Sequence, residues 1–344
     1  MTRTTSFTSV PVVDISGLGS GDPAAEQAVA EQLGVVCREI GFFYVTGTGL
    51  DDTVFADLLA ATKTFFALST EEKMRYYIGR STCHRGYVPI GEEGDAGAVP
   101  DLKEAFDTAL DLPADDPDHL AGNPMLGPNV WPDIPGFAAR VTAYYDAVTE
   151  IGQRLLRAFA IALGEDPDTF TRYTTKTTTQ LRLIHYWHDS SAQDRPGFGA
   201  HTDMECFTLL KPTAPGLEVL NGAGEWIDVP PIENALVVNI GDLLEMWTNG
   251  EFVATSHRVR KVADERYSFP LFFSVDYDTV VAPLPRFCAD GAKRPTVVAG
   301  EHIFGQTANY FEYLRARMAR GELILPDSVL PESSFGQQAL QRAI

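Results

Sequence analysis

The sequence predicts an α+β fold in which helices pack around a β-jelly-roll core. Three observations carry that prediction. Apolar residues recur at helical spacing through the first half, short β-type runs separated by turn residues follow from about Thr177, and helical periodicity returns near the C-terminus.

Taken in order, Ala24 to Ile40 places Val29, Leu33, Val36 and Ile40 on one helical face, and the apolar run Phe42 to Val45 reads as a strand. Asp51 and Asp52 can cap a second helix that carries Val54, Leu58 and Phe65 along one side. Ser69, with Glu72 three residues on, is a capping box for a short third helix. A long helix is expected from about Pro135 to Leu163, burying Phe137, Val141, Tyr144, Val148, Ile151, Leu155 and Phe159. Between these, Asp101 to Asp118 holds seven carboxylates and one lysine. It reads as a solvated loop with one short strand around Phe106, with a cation site as the rival reading.

The β region offers Thr179 to Trp187, Phe207 to Leu210, Leu217 to Leu220, Trp226 to Val229, Ala235 to Ile240, Phe252 to Val262 and Ser268 to Asp276. Asn249-Gly250 between apolar segments predicts a two-residue hairpin turn. A final amphipathic helix is expected from Ile303 to Met318. The chain is expected to be a single unit: residues 1–176 mainly helical, 177–280 the jelly-roll catalytic core, and 281–344 a C-terminal helical region.

Composition narrows the function classes. A chain of 344 residues can bury a large core without staples. Its 47 acidic against 27 basic residues give a net charge of −20, which repels phosphate backbones and anionic lipid. A small molecule is therefore the expected partner, rather than nucleic acid or a membrane. Oligomeric state is not encoded in any pattern found. Cys37, Cys83, Cys206 and Cys288 lie far apart with no CxxC pair, as in a reduced cytoplasm and not in a disulfide framework or structural zinc site. The first residues carry no apolar signal-like segment, and no apolar run of about 18 residues occurs. A cytoplasmic protein is expected.

The chemistry concentrates in the β region. His201-Thr202-Asp203 is followed much later by His257. Residues two apart on a strand project to the same side, so His201 and Asp203 can meet one ion together, with His257 arriving from a later strand. Two imidazoles and one carboxylate form the facial triad suited to non-haem Fe(II), which leaves positions open for O2 and a chelating ligand. Chance HxD pairs remain the rival reading of the spacing alone. Beyond His257 stand Arg266 and Ser268, which share a strand face. A guanidinium fork binds a carboxylate bidentately, and a buried Arg without a carboxylate partner is costly, so an anionic ligand is expected there. A structural Asp or Glu partner is the alternative.

With His201-Thr202-Asp203, Asn239-Ile240-Gly241-Asp242, Ser256-His257-Arg258-Val259 and Arg266-Tyr267-Ser268 in this order, the sequence resembles the isopenicillin N synthase-like 2-oxoglutarate/Fe(II) dioxygenases. The likeness extends to Val12-Val13-Asp14-Ile15, Gly41-Phe42-Phe43-Tyr44-Val45, Phe65-Phe66 with Glu72-Lys73, and Lys103-Glu104-Ala105-Phe106-Asp107, so it covers about Pro11 to Tyr313. The resemblance implies a double-stranded β-helix (jelly-roll) holding Fe(II) by His201, Asp203 and His257. It also implies that 2-oxoglutarate chelates the iron and meets Arg266, Ser268 and Tyr186 through its distal carboxylate. With O2, the products would be succinate, CO2 and an oxidised, most simply hydroxylated, small-molecule substrate.

Two residues depart from the family pattern. Trp187 stands where a proline often follows the tyrosine, and Glu205 where many relatives have a small residue. By strand alternation Glu205 and Phe207 share a side with the metal set. A carboxylate there would favour a substrate with an amine, or would be a solvated rim residue. Phe43, Met204, Glu205, Phe207 and Phe272 are candidate pocket walls, the aromatic ones equally serviceable as core. His185 and His188, three apart, split across strand faces and do not suggest a second metal. His84 could line the entrance, and a satisfied loop histidine is the plainer reading. Cys206 is expected to point into the core. Attraction of an anionic cosubstrate into this acidic protein is expected from Arg266, Arg258 and Arg260. Three other readings stay open: a 2-oxoglutarate-independent oxidase or cyclase of the isopenicillin N synthase type, a non-catalytic jelly-roll binding a small anion, and zinc hydrolysis. The last leaves Arg266 and Ser268 unexplained.

Overall fold

Local capping chemistry sets the first helices. Strand β1 (Val12–Asp14) leads into α1 (Pro23–Glu39), where the Asp22 side chain accepts from the Ala24 N–H and Pro23 occupies the first turn. After β2 (Phe42–Thr46), α2 (Asp52–Phe66) starts on Asp51 alone, and Asp52 lies within the first turn, where its charge suits the helix dipole. The capping box of α3 (Thr70–Lys73) is complete, with Ser69 and Glu72 each satisfying the other's backbone. This computed structural model describes residues 5–94, 103–187, 196–260, 265–291, 294–326 and 329. His188 lies outside them, as do the first two residues of the acidic stretch.

Strands β3 (Gly86–Val88) and β4 (Lys103–Ala109) precede the short α4 (Pro117–Leu120). The long α5 (Phe137–Ala162) buries all seven expected residues. Then come β5 (Gln180–Tyr186), β6 (Pro196–His201), β7 (Phe207–Pro212), β8 (Leu217–Leu220), β9 (Trp226–Asp228) and β10 (Leu236–Ile240). After α6 (Asp242–Trp247) follow β11 (His257–Arg260), β12 (Arg266–Phe273), α7 (Ala299–Tyr310) and α8 (Glu312–Ala319). One sheet has the order β1-β2-β10-β7-β12-β5-β4-β3, and a second has β6-β11-β8-β9. Helix α5 packs against α1, α2 and β12.

Four expectations change. The acidic stretch is not a solvated loop over β4, whose seven residues are all buried between β3 and β5. The two carboxylates on β4 are matched. Glu104 receives the Lys73 ammonium and the Tyr87 hydroxyl, each at 2.6 Å, and Asp107 receives Arg182 through two hydrogen bonds of 2.7 and 2.8 Å. Asn249 and Gly250 do take positive φ (53° and 84°), but they close α6 instead of a hairpin. Every residue of α6 is buried, so no apolar–polar period marks it as a helix. The C-terminal helix is broken at Phe311, which is extended and bridges to Glu93, while the Glu312 N–H donates to the Glu92 carbonyl. Finally, β6 is a strand where none is expected, since its Gly residues and leading Pro disfavour one.

The Asp107–Arg182 pair yields a stability prediction. Asp107→Ala leaves the buried Arg182 charge with Glu93 as its remaining carboxylate partner. Breaking such a pair from one side is expected to cost about 3–5 kcal/mol, read as a lower urea midpoint at unchanged m-value. An unaltered midpoint would refute it.

Candidate metal centre and cosubstrate pocket

His201 is the last residue of β6 and His257 the first of β11, and the two are directly paired across these strands. Asp203 lies beyond the end of β6, in the loop that leads to β7. The side-by-side placement of His201 and Asp203 is therefore made by the chain leaving the sheet, not by strand alternation. The Nε2 atoms of His201 and His257 each lie 3.5 Å from Asp203 Oδ1, and the imidazole centroids are 4.3 Å apart. Among the described residues, these three form the only cluster of His, Cys, Asp and Glu able to share one ion.

Their orientation is held from behind. His201 Nδ1 meets the Gly199 carbonyl at 2.9 Å and His257 Nδ1 meets the Thr255 carbonyl at 3.2 Å. A carbonyl only accepts, so each Nδ1 carries the proton and each Nε2 presents its lone pair toward Asp203. Asp203 Oδ2 accepts from the Thr208 hydroxyl and, at 2.7 Å, from the Asn239 amide, which leaves Oδ1 facing the imidazoles. Burial pushes the Asp203 carboxyl up, but His257, His201 and these hydrogen bonds outweigh it and hold the carboxyl well below its usual range. Burial, then the nearby His201, lowers His257 to about 4.

The same cavity reaches β12. Arg266 sits opposite Tyr186 of β5, and Ser268 sits opposite Ile184 of β5 and Pro212 of β7. Arg266 is completely buried, its Nε donates to the Ala214 carbonyl at 3.2 Å, and its guanidinium carbon lies 4.8 Å from the Tyr186 ring centre. Among the described residues neither Nη1 nor Nη2 has an acceptor. The alternative reading, a structural carboxylate partner for Arg266, finds none among the described residues.

Met204, Glu205 and Phe272 line this cavity, whereas Phe43 and Phe207 do not. Phe42 packs its ring 5.6 Å from His257, so alternation turns Phe43 to the other side of β2. Phe207 stacks on Phe273 and meets Phe159 of α5, while its neighbour Thr208 faces Asp203. The 202–206 loop breaks the strand parity that linked Phe207 to the metal set. Cys206 is buried core as expected. His84 is both a cavity residue and a satisfied one, its Nδ1 lying 2.6 Å from the Tyr313 hydroxyl. Arg258 and Arg260 do not line the cavity. Arg258 pairs with Glu218 and stacks on Trp226, and Arg260 pairs with Asp228 and Glu218.

Sequence reasoning missed the cavity wall that comes from the first half and the C-terminal helix. Glu93, Lys103 and Arg182 stand there with Tyr310 and Phe311. Arg182 Nη1 meets Glu93 at 2.7 Å, and Lys103 Nζ meets the other Glu93 oxygen at 3.1 Å. The charges were present in the sequence, Lys103 on β4, Arg182 on β5 and Glu93 beyond the end of β3, but bringing them together needs the tertiary fold. Burial first, and then the charge of Asp203, push the Glu205 carboxyl up to about 8.

Comparison with known proteins bears on this geometry. Residues 10–134 match the model of a non-haem dioxygenase N-terminal region, and residues 177–275 match the 2OG-Fe(II) oxygenase superfamily. A 2-oxoglutarate-Fe(II) type oxidoreductase of Emericella nidulans is 34% identical over 329 residues, covering 92% of this chain and 94% of the relative. The chain belongs to the 2OG-Fe(II) oxygenase superfamily. It is a 2-oxoglutarate/Fe(II)-dependent dioxygenase. A homoarginine-6-hydroxylase of Glycine max is 35% identical over 328 residues, or 89% of this chain and 98% of that one. Among solved structures, a Neurospora crassa protein crystallised with alpha-KG and thymine superposes with TM-score 0.77 at 26% identity, covering 87% of this chain and 96% of that one. A 2OG-Fe(II) oxygenase family protein from Caulobacter crescentus gives TM-score 0.76 at 30% identity, covering 91% and 99%. These neighbours share the jelly-roll core.

The donor set fits the iron and the cosubstrate of this superfamily. Two neutral imidazoles and a carboxylate converge, as non-haem Fe(II) requires, and a buried guanidinium with two unpaired nitrogens waits for a carboxylate in the same cavity. Asn239 tests the supporting shell. Asn239→Ala removes one of two donors to Asp203 Oδ2 and is expected to weaken Fe(II) affinity about 10- to 100-fold, measured by titration of the apoprotein. Unchanged affinity would contradict the role assigned to this hydrogen bond.

Proposed function

We propose that this dioxygenase hydroxylates a C–H bond of a small molecule, with His201, Asp203 and His257 holding the iron and Arg266, Ser268 and Tyr186 holding the distal carboxylate of 2-oxoglutarate. The observation that carries the reading is the buried, unpaired Arg266 fork in the same cavity as the converging Nε2 atoms. Fe(II) with 2-oxoglutarate and O2 supplies the oxidising power, turning the 2-oxo acid into succinate and CO2 as the substrate gains an oxygen atom.

The chain's own groups do the placing. The Gly199 and Thr255 carbonyls keep both Nε2 lone pairs available, and Thr208 with Asn239 turns Asp203 Oδ1 toward them. Arg266 offers two parallel N–H donors and Ser268 adds a hydroxyl on the same face, so a carboxylate can be held in one orientation. Leu210, Leu217 and Val259 provide apolar wall that excludes water, which strengthens each of these charge interactions.

In this proposal the partners are small molecules and not nucleic acid or membrane, supported by the net charge of −20. Among the described residues no helix is long and apolar enough to cross a membrane. A cytoplasmic location is supported by four cysteines that are all free, three of them buried. The test is stoichiometric: O2 uptake should match succinate release one for one and depend on 2-oxoglutarate. Substrate oxidation without 2-oxoglutarate would replace this reading by an oxidase of the isopenicillin N synthase type.

A further inference from the structure

We infer that Glu205 is a specificity-determining residue of the pocket, selecting a substrate with a cationic amine or guanidinium group. This rests on the metal and cosubstrate reading above and deepens it to a substrate class.

The inference follows from the charges around the cavity, counted over the described residues. Three cations line it: Arg266, Lys103 and Arg182. Arg182 is closed off, with Nε and Nη2 on Asp107 at 2.7 and 2.8 Å and Nη1 on Glu93 at 2.7 Å. Lys103 closes on the second oxygen of Glu93. Two cations and two carboxylates thus form a neutral wall with no charge left for a ligand. On the other side, a metal dication, Asp203, the 2-oxoglutarate dianion and Arg266 also sum to zero. Glu205 is what remains. Its carboxylate takes hydrogen bonds from the backbone N–H groups of Met204 and Glu205, and among the described residues no cationic side chain pairs with it in the cavity it lines.

Its position is built into the backbone. The Glu205 carbonyl accepts from the Leu243 N–H at 3.1 Å, and a Cβ at Gly241 would collide with that carbonyl. The 202–206 loop is therefore clamped onto the start of α6, which fixes the backbone from which the Glu205 side chain reaches the cavity. Burial and the nearby Asp203 disfavour the charged form of this group, backbone N–H donors offset that only in part, and a ligand cation beside it removes the remaining cost. A neutral or anionic substrate leaves it in place. The same wall carries Phe272, Tyr310 and Phe311, surfaces that favour the apolar body of such a cation.

The test uses the wild-type protein under argon with Fe(II) and 2-oxoglutarate bound, and an isosteric pair of probes, butylguanidinium and butylurea. Butylguanidinium is expected to perturb the iron–2-oxoglutarate charge-transfer absorption saturably, and butylurea to bind at least about tenfold more weakly. Glu205→Gln should erase that preference by weakening butylguanidinium, while Glu205→Asp should retain it. Equal affinity for the two probes, no saturable response to butylguanidinium, or a full preference in E205Q overturns the inference. Should E205Q lose the band itself, the wild-type comparison of the two probes decides alone. Absence of the band in wild type, seen before any probe is added, overturns the metal and cosubstrate reading and this inference with it.

Discussion

Arg266→Met is expected to raise the 2-oxoglutarate concentration for half-maximal turnover by about a hundredfold or more, while Fe(II) still binds. The magnitude comes from removing one side of a desolvated charge pair, about 2–5 kcal/mol. The wild-type guanidinium is completely buried, and among the described residues Nη1 and Nη2 have no acceptor, so a ligand carboxylate would complete the pairing. The substitution should also have an opposite effect on the ligand-free protein. A buried charge without a partner destabilises the fold, so without 2-oxoglutarate the variant should melt higher than wild type, by the equivalent of about 1–4 kcal/mol. Saturating 2-oxoglutarate should raise Tm in wild type and barely in the variant, because only wild type gains from the linkage. Arg266→Lys should rescue poorly, since a point charge does not reproduce a two-pronged contact. A variant with wild-type dependence on 2-oxoglutarate would show that the cosubstrate anchors elsewhere.

Asp203→Ala is expected to reduce turnover to background and to abolish iron-dependent binding of 2-oxoglutarate. Asp203 Oδ1 lies 3.5 Å from both Nε2 atoms and is the anionic member of the set. Without it, two imidazoles remain with ring centroids 4.3 Å apart and no counter-charge for a dication. The change also strands the Thr208 hydroxyl and the Asn239 amide in a buried site, an added cost of about 1–3 kcal/mol in stability. Anaerobic titration with Fe(II) and 2-oxoglutarate measures the first effect and urea unfolding the second. A non-catalytic anion-binding jelly-roll predicts the reverse, with ligand affinity intact in D203A. Iron-dependent binding retained by the variant would therefore remove Asp203 from the metal set.

Much of the helical scaffold was legible before folding. The caps at Asp51 and Ser69 and the seven-residue apolar stripe of α5 are local signals, decided by neighbours within one or two turns. Segments whose environment is uniform were not legible. Helix α6 is buried on every side and so carries no period, and β4 hides its charges inside the protein against Lys73 and Arg182. A carboxylate-rich run looks the same on paper whether water or a cross-strand arginine balances it.

The amino-acid order by itself determined which residues could carry the chemistry, because imidazole, carboxylate and guanidinium are scarce types whose combination restricts the chemistry on offer. It pointed to His201, Asp203, His257, Arg266 and Ser268, and these five line one cavity. Only the tertiary structure decided how they meet and what else faces them. Leaving the sheet at residue 202 put Asp203 beside the imidazoles and turned Phe207 into the core. Sheet order then brought Lys103, Arg182 and Glu93 together as a wall that cancels its own charge. Charge balance in a cavity is a sum over groups distant in sequence, and Glu205 stands out once that sum can be taken.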